Sequence, residues 1–570
     1  SPTNNFCTYN PLDRSTYTPA TFISEGNLNL ADWKSTDAAL AIGGTMAMRS
    51  GKWYFECCRI AAVNTSYWGI IREDIFVGQV STGNTGLSAG EYAYSLDSTG
   101  YRRVNGTGTS SFGSTYAQDD VFQCAYDADT GKVWFGKNNT WQGSGDPANG
   151  TNEAATVDSP SEYGYKIWTR VIGNAFSYEQ STLNCGQDST FKNQISAGGN
   201  TDGNGIGDFK YAPPSGFLAI CSANLADPAI DPAQDEEPAD YFNTVLYTGN
   251  NGSQNVTGVG FQPDWVWIKP RNGTINHVVH TSTFDNPYNY LIVNRGDIGE
   301  NTNANFDWFK SFDSDGFTVA YSSSNGTNSE NWNGSSYNYA SWNWLAGGSA
   351  VSNSDGDITS SVSANTKAGF SIVTWTGGTG TVGHGLDKAP EIIIEKKRGA
   401  SGDWITQTTV IDGSNDYLRL NTTASKTDGA GASPTATVFT PNTGASTIAA
   451  YCFHSVEGYS KVGSYTGNGS SEGTFIYTGF RPAWVLVKTT STTNRWVLFD
   501  SARSPTNPVE EKHELNPNDT SAESSSGTDC FDFLSNGFKL RRTGDVFNTS
   551  GHIYLYLAFA EQPFKYSNAR

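Results

Sequence analysis

The chain has 570 residues, a mass of 61.4 kDa, a formal net charge of −20 and a pI near 4.7. Charged residues make up only 16%, Gly reaches 62 and Met only 2, a balance that disfavours helices and favours strands and tight turns. The acid excess and the lack of a basic patch exclude nucleic-acid binding and charge-driven docking on anionic membrane, and no run approaches the roughly 18 apolar residues of a membrane span.

An all-β chain of about three to five domains is expected, at roughly 150 residues per domain. The eight cysteines, Cys7, Cys57, Cys58, Cys124, Cys185, Cys221, Cys452 and Cys530, include no CxxC pair. They read as buried small hydrophobes of a protein made in a reducing cytoplasm. No signal-peptide pattern is visible, and the opening Ser1-Pro2-Thr3-Asn4-Asn5-Phe6 reads as the middle of a longer chain.

Residues 1–225 hold short alternating runs such as Trp53-Tyr54-Phe55-Glu56-Cys57 and Val121-Phe122-Gln123-Cys124-Ala125-Tyr126, separated by turn signals such as Thr130-Gly131. This pattern predicts a β-sandwich with an N-terminal extension. Residues 226–240 are rich in acids and carry Pro228, Pro232 and Pro238, as an extended, solvated linker would be.

Beyond the linker the chain repeats itself. Tyr247-Thr248-Gly249-Asn250 and Gly260-Phe261-Gln262-Pro263-Asp264-Trp265-Val266-Trp267-Ile268-Lys269 recur as Tyr465-Thr466-Gly467-Asn468 and Gly479-Phe480-Arg481-Pro482-Ala483-Trp484-Val485-Leu486-Val487-Lys488. A diverged middle copy carries Trp375-Thr376-Gly377-Gly378 and Ala389-Pro390-Glu391-Ile392-Ile393-Ile394-Glu395-Lys396. Each copy closes on an aromatic strand, at Tyr339–Trp344, Ala450–His454 and Tyr554–Glu561. Units of about a hundred residues are too long for a solenoid. Three tandem β-sandwich modules are expected, at residues 241–350, 351–460 and 461–570.

The first block resembles a SPRY (B30.2-like) domain. The matching motifs are Ser50-Gly51-Lys52-Trp53-Tyr54-Phe55-Glu56, Trp68-Gly69-Ile70, the run Asp119–Phe135, Asn184-Cys185-Gly186-Gln187 with Phe191, and Pro213-Pro214-Ser215-Gly216-Phe217. They stand in the family's order across about residues 22–225. The resemblance implies a partner-binding sandwich without an active site. The repeats, ending Ala558-Phe559-Ala560-Glu561-Gln562-Pro563-Phe564-Lys565-Tyr566, are similar to modules of tail-fibre and other virion structural proteins of marine and cyanobacterial phages. That second resemblance implies a homotrimer on the virion surface, joined to other virion proteins through its N-terminal side.

Candidates for chemistry are few. His277 and His280 are three apart in a strand-like run, so they face opposite sides and do not make a metal pair. The pairs Asp127/Asp129, Asp313/Asp315 and Asp355/Asp357 sit in turn-like settings, where Asp caps backbone amides. A Ca²⁺ ion at one of these turns is the sole cofactor they suggest, without the full calcium-loop pattern. No enzyme is expected. Ligand-binding candidates are Trp141 and Trp332 as exposed aromatic platforms, and Tyr101-Arg102-Arg103 as a loop for carboxylates or phosphates.

The functional expectation is a phage tail-fibre or spike segment that attaches to a host cell-surface glycan or protein. It would be made in the host cytoplasm and act outside it, without nucleic acid and without membrane insertion. The alternatives are a capsid decoration or fibre-shaft protein without receptor binding and, in third place, a polysaccharide depolymerase, which would need two facing carboxylates in a groove.

Overall fold

The computed structural model describes residues 4–15, 23–32, 40–79, 92–105, 107–172, 179–302, 308–321, 330–544 and 546–567. Residues 1–3 of the opening segment lie outside these. The chain is all-β: among the described residues regular structure is strand, with a few three-residue 3₁₀ turns and no α-helix. Two compact units result, Ser1–Asp227 with Phe475–Tyr477, and Pro228–Thr474 with Thr478–Arg570.

The first unit contains two sheets, antiparallel but for the short parallel pairing of Leu218–Ala219 with Lys52–Ala61. One runs Tyr9–Arg14, Leu40–Met48, Tyr165–Ile172, Thr65–Arg72, Ala93–Asp97, Tyr101–Val104, Thr107–Ser111. The other centres on Lys52–Ala61, flanked by Val121–Asp127 and Glu179–Asn184. Aromatic side chains close the space between them, with Trp68 of the first sheet stacked on Phe122 of the second at 5.4 Å. The indole of Trp68 donates to Ser181 Oγ at 2.8 Å, so its polar edge is satisfied inside the core. Lys52–Ala61 is buried on both faces because a later segment covers its back. Phe209 packs on Tyr54 there, and buried Glu56 accepts from the amides of Lys210 and Tyr211.

The second unit repeats one strand order three times. Phe242–Thr248, Asn338–Trp344, Trp265–Pro270, Val278–Thr281 and Leu291–Ile292 form the large sheet of the first repeat. Phe370–Thr376, Thr447–Phe453, Ile392–Lys397, Ile405–Thr408 and Asp416–Arg419 follow the same order in the second, with two further strands on the outer edge. Ser460–Thr466, Ile553–Pro563, Phe480–Thr489 and Trp496–Asp500 form the third.

These sheets are not self-contained modules. Each turns one face into a common core to which all three repeats contribute. Trp265 stacks on Tyr451 at 4.3 Å, Phe453 meets Phe559 at 5.9 Å, and Phe559 stacks on Phe242 at 4.8 Å. The sequence predicts three tandem sandwich modules; the aromatic strands in addition give every large sheet a second apolar face, which packs into the shared core.

The register makes Trp265, Ile392 and Trp484 equivalent, since they lie opposite Trp344, Phe453 and Phe559. Four residues on, Lys269, Lys396 and Lys488 are therefore equivalent, and all three are fully buried. Each ammonium reaches a backbone carbonyl of a neighbouring repeat: Lys269 that of Thr520 at 3.2 Å, Lys396 that of Arg295 at 3.2 Å, Lys488 that of Thr423 at 3.4 Å. Two residues further, the carbonyls of Arg271, Arg398 and Thr490 accept from the amides of Glu523, Glu300 and Lys426. First joins third, third joins second, and second joins first. This is a head-to-tail contact used three times and closed into a ring within one chain.

The predicted linker also departs from an extended connector. Ile230 is fully buried in the common core, and Asp231 accepts from the hydroxyl of Tyr566 at 2.7 Å. Pro232–Gln234 and Pro238–Asp240 form single 3₁₀ turns. One apolar residue among the acids is enough to fold the segment onto the second unit.

Candidate functional site

Four of the five predicted site residues lie on the first unit. Tyr101 is exposed at 47%. Arg102 donates to the carbonyl of Ala154 and lies 4.9 Å over the ring of Phe112. Arg103 pairs with Asp97 at 3.6 Å and lies 5.2 Å over Tyr67. Trp141 is half-buried against the cluster of Trp134 and Phe217. Phe112 brings two of these places together. Its other side lies against Gly143, where a Cβ would stand 2.6 Å from the ring. The Tyr101–Arg103 strand and the Trp141 turn therefore share one rim of the sandwich.

Trp332 corrects its expectation. It is completely buried, stacked on Trp308 at 4.7 Å and edge-on to Tyr290. Its indole donates to Nε2 of His280 at 2.8 Å, so it is a core residue and not an exposed platform. The paired aspartates act as caps: Asp127 accepts from the amides of Asp129 and Thr130, Asp315 from those of Gly258 and Gly260, and Asp357 from that of Thr381.

The repeats differ most on the outer faces of their large sheets. In the first repeat Ile268, Val278, His280, Tyr290 and Ile292 are covered by a three-stranded sheet that brings Phe309 and Phe317. In the third, Phe499 meets Phe531 edge-on at 4.9 Å. In the second, register puts Glu395 where the others have Ile268 and Val487, and Gln407 where they have His280 and Phe499. Tyr417 and Arg419 take the places of Tyr290 and Ile292. The small sheet of Val382–Gly383 and Val438–Phe439 covers only the Ile393 end.

The uncovered end is a polar pocket of about 220 Å³, lined by Lys397, Asp403, Tyr417, Arg419, Asn442 and Thr443. Arg419 pairs with Asp403 at 3.1 Å, donates to the Tyr417 hydroxyl at 3.3 Å and lies 5.1 Å over that ring. Behind the pocket, the carboxylate of Glu395 accepts from Gln407, from the Asn442 amide and from Thr443 Oγ1. Burial pushes the Glu395 carboxyl up to about 7, opposed by these hydrogen bonds. Glu395 thus fixes the loop that supplies Asn442 and Thr443. Asp403 is the single carboxylate among the lining residues, so the arrangement suits binding of a polar ligand, with aromatic, amide, hydroxyl and cationic groups on a rigid sheet.

A family described as "Domain of unknown function (DUF7483)" matches residues 237–563, more than half of the chain. The chain belongs to the DUF7483 family. The match spans all three repeats, and so the DUF7483 region coincides with the ring and its pocket. No curated protein matches the chain. The chain is also similar to solved SPRY domains. That of human HERC1 is 13% identical, with 31% of this chain and 96% of that chain covered and a TM-score of 0.23. A human SPRY domain is 16% identical, covering 28% and 94%, at 0.22. The TRIM65 PSpry domain is 11% identical, covering 31% and 90%, at 0.22.

None of the DUF7483 pocket residues stands among the sequence candidates. The available signal was Glu395 itself, a carboxylate following Ile392-Ile393-Ile394 at a position whose counterparts in the other repeats are Ile268 and Val487.

Proposed function

We propose that this chain is a surface protein of a phage virion, a tail-fibre or spike segment that attaches to host-surface glycans and performs no catalysis. The pocket of the second repeat carries the reading. Polar groups have replaced the apolar outer face at one place in a threefold-repeated fold, where burying them costs stability that only a dedicated hydrogen-bond network offsets, and such a local departure from the fold's own rule marks a functional place. The likeness of the repeats to tail-fibre modules and the SPRY-like motifs of the first unit support the same reading. By that likeness the chain acts as a homotrimer, and three linked copies of a weak site gain avidity without new contacts.

A shaft or decoration role is the second reading, favoured by the ring of buried lysine contacts. Pull-down of the full chain on intact host cells, before and after removal of surface glycans, separates the two. Attachment predicts binding that is lost with the glycans and weakened by Arg419→Ala. No binding to untreated cells overturns attachment and leaves the structural role.

A further inference from the structure

We infer that the pocket of the second repeat takes a sugar bearing a carboxylate, so that the surface recognised is an acidic polysaccharide. This rests on the proposed attachment role and adds the chemical class of its ligand.

The charge of the pocket points this way. The chain as a whole carries −20, yet the pocket walls bring two cations, Lys397 and Arg419, against one carboxylate, Asp403. Asp403 is spoken for. It pairs with Arg419 and accepts from Asn421 Nδ2 at 2.9 Å. Lys397 has no hydrogen-bond or ion-pair partner among the described residues, although most other lysines described here are engaged with carboxylates or carbonyls. The Glu395 carboxyl behind the wall is occupied by three donors of its own, and burial pushes it up to about 7, so near neutral pH it carries only part of a full opposing charge.

The remaining groups fit the rest of such a ligand. The Tyr417 ring, with Arg419 over one side, leaves its other face for a pyranose, while the Asn442 side-chain amide offers donors and an acceptor for sugar hydroxyls and Thr443 Oγ1, whose proton goes to Glu395, offers an acceptor. The Lys397 ammonium is a mobile point charge that can follow a carboxylate at the rim. Arg419 already gives its Nε to Asp403, and its role is to set the electrostatic floor.

The test uses the full chain on immobilised oligosaccharides of three kinds: uronate-bearing, the same chains with their carboxyls reduced to alcohols, and phosphorylated sugars. Wild type, Lys397→Ala and Arg419→Gln are compared, with Val351→Ala, an exposed residue on the edge strand, as the control. The expected result is binding to the uronate-bearing chains that falls at least tenfold on carboxyl reduction. Lys397→Ala weakens it about tenfold, as loss of one charge-assisted hydrogen bond implies, and Val351→Ala leaves it unchanged. Equal binding of acidic and reduced chains that still depends on Arg419 overturns the carboxylate and leaves attachment through the pocket standing. Preference for phosphorylated sugars likewise overturns the carboxylate. No binding to any of them, or binding indifferent to both pocket variants, overturns both readings.

Discussion

The ammonium of Lys269 donates to the carbonyl of Thr520 at 3.2 Å, across 251 residues of chain. The same step is taken from Lys396 to Arg295 and from Lys488 to Thr423, so the three repeats hold one another in a closed cycle. Burial pushes Lys269 down to about 7 and Lys396 and Lys488 down to about 8.

If the cycle is a structural unit, Lys269→Ala, Lys396→Ala and Lys488→Ala should each destabilise the second unit by a similar amount. About 2–4 kcal/mol is expected from the lost stem packing and the orphaned carbonyls. Urea unfolding midpoints of the three variants measure this. One variant far more damaging than the other two would show that the equivalence of position carries no equivalence of role.

Glu395 gives the pH dependence its sign. Its folded value, about 7, lies above the ordinary 4.5 because of burial. The folded state therefore holds the proton more tightly, and that stabilisation is complete below about 4.5 and lost as pH rises through 7. Between these limits the wild type should lose on the order of 3 kcal/mol relative to Glu395→Gln. Paired denaturation curves at pH 4.5 and 7.5 read the difference, and a constant gap between the two proteins would rule this assignment out.

Trp332 sits in an aromatic stack with Trp308 and Tyr290 and donates to His280. Trp332→Ala should cost about 3–5 kcal/mol of stability, as large core truncations do. Thermal unfolding of the variant shows whether this holds; a stable variant with impaired glycan binding would instead return Trp332 to the role of a platform.

Gly143 has φ +61 and no room for a Cβ beside Phe112. Gly143→Ala should strain the backbone and displace Phe112 from beneath Arg102, costing about 1–2 kcal/mol. The loss of protection at residues 111–114 in hydrogen exchange, with the rest of the first unit unchanged, is the expected signature.

Much of the architecture was legible in the chain. Alternation and turn residues gave the all-β class, and the recurrence of Trp265–Lys269 as Trp484–Lys488 gave the repeats. The shared core was not legible. Trp344 and Phe559 fit an isolated sandwich equally well, and only their contacts with Trp484 and Phe453 show a face turned to another repeat. Exposure was misread for the same reason: Trp332, among Asn and Gly, has the local sequence of a loop yet is buried by residues distant in the chain. The pocket was missed because its residues, from Glu395 to Thr443, meet only through the register of three strands and two loops. Comparing the repeats position by position would have marked Glu395.

Hydrogen exchange of the full chain, with and without isolated host-surface polysaccharide, shows whether the second repeat holds the attachment site. The expected result is protection at 397–405, 415–421 and 440–444, absent in Arg419→Ala. Protection confined to the rim around Tyr101 and Trp141, or to no segment of the second repeat while the polysaccharide is bound, would contradict it.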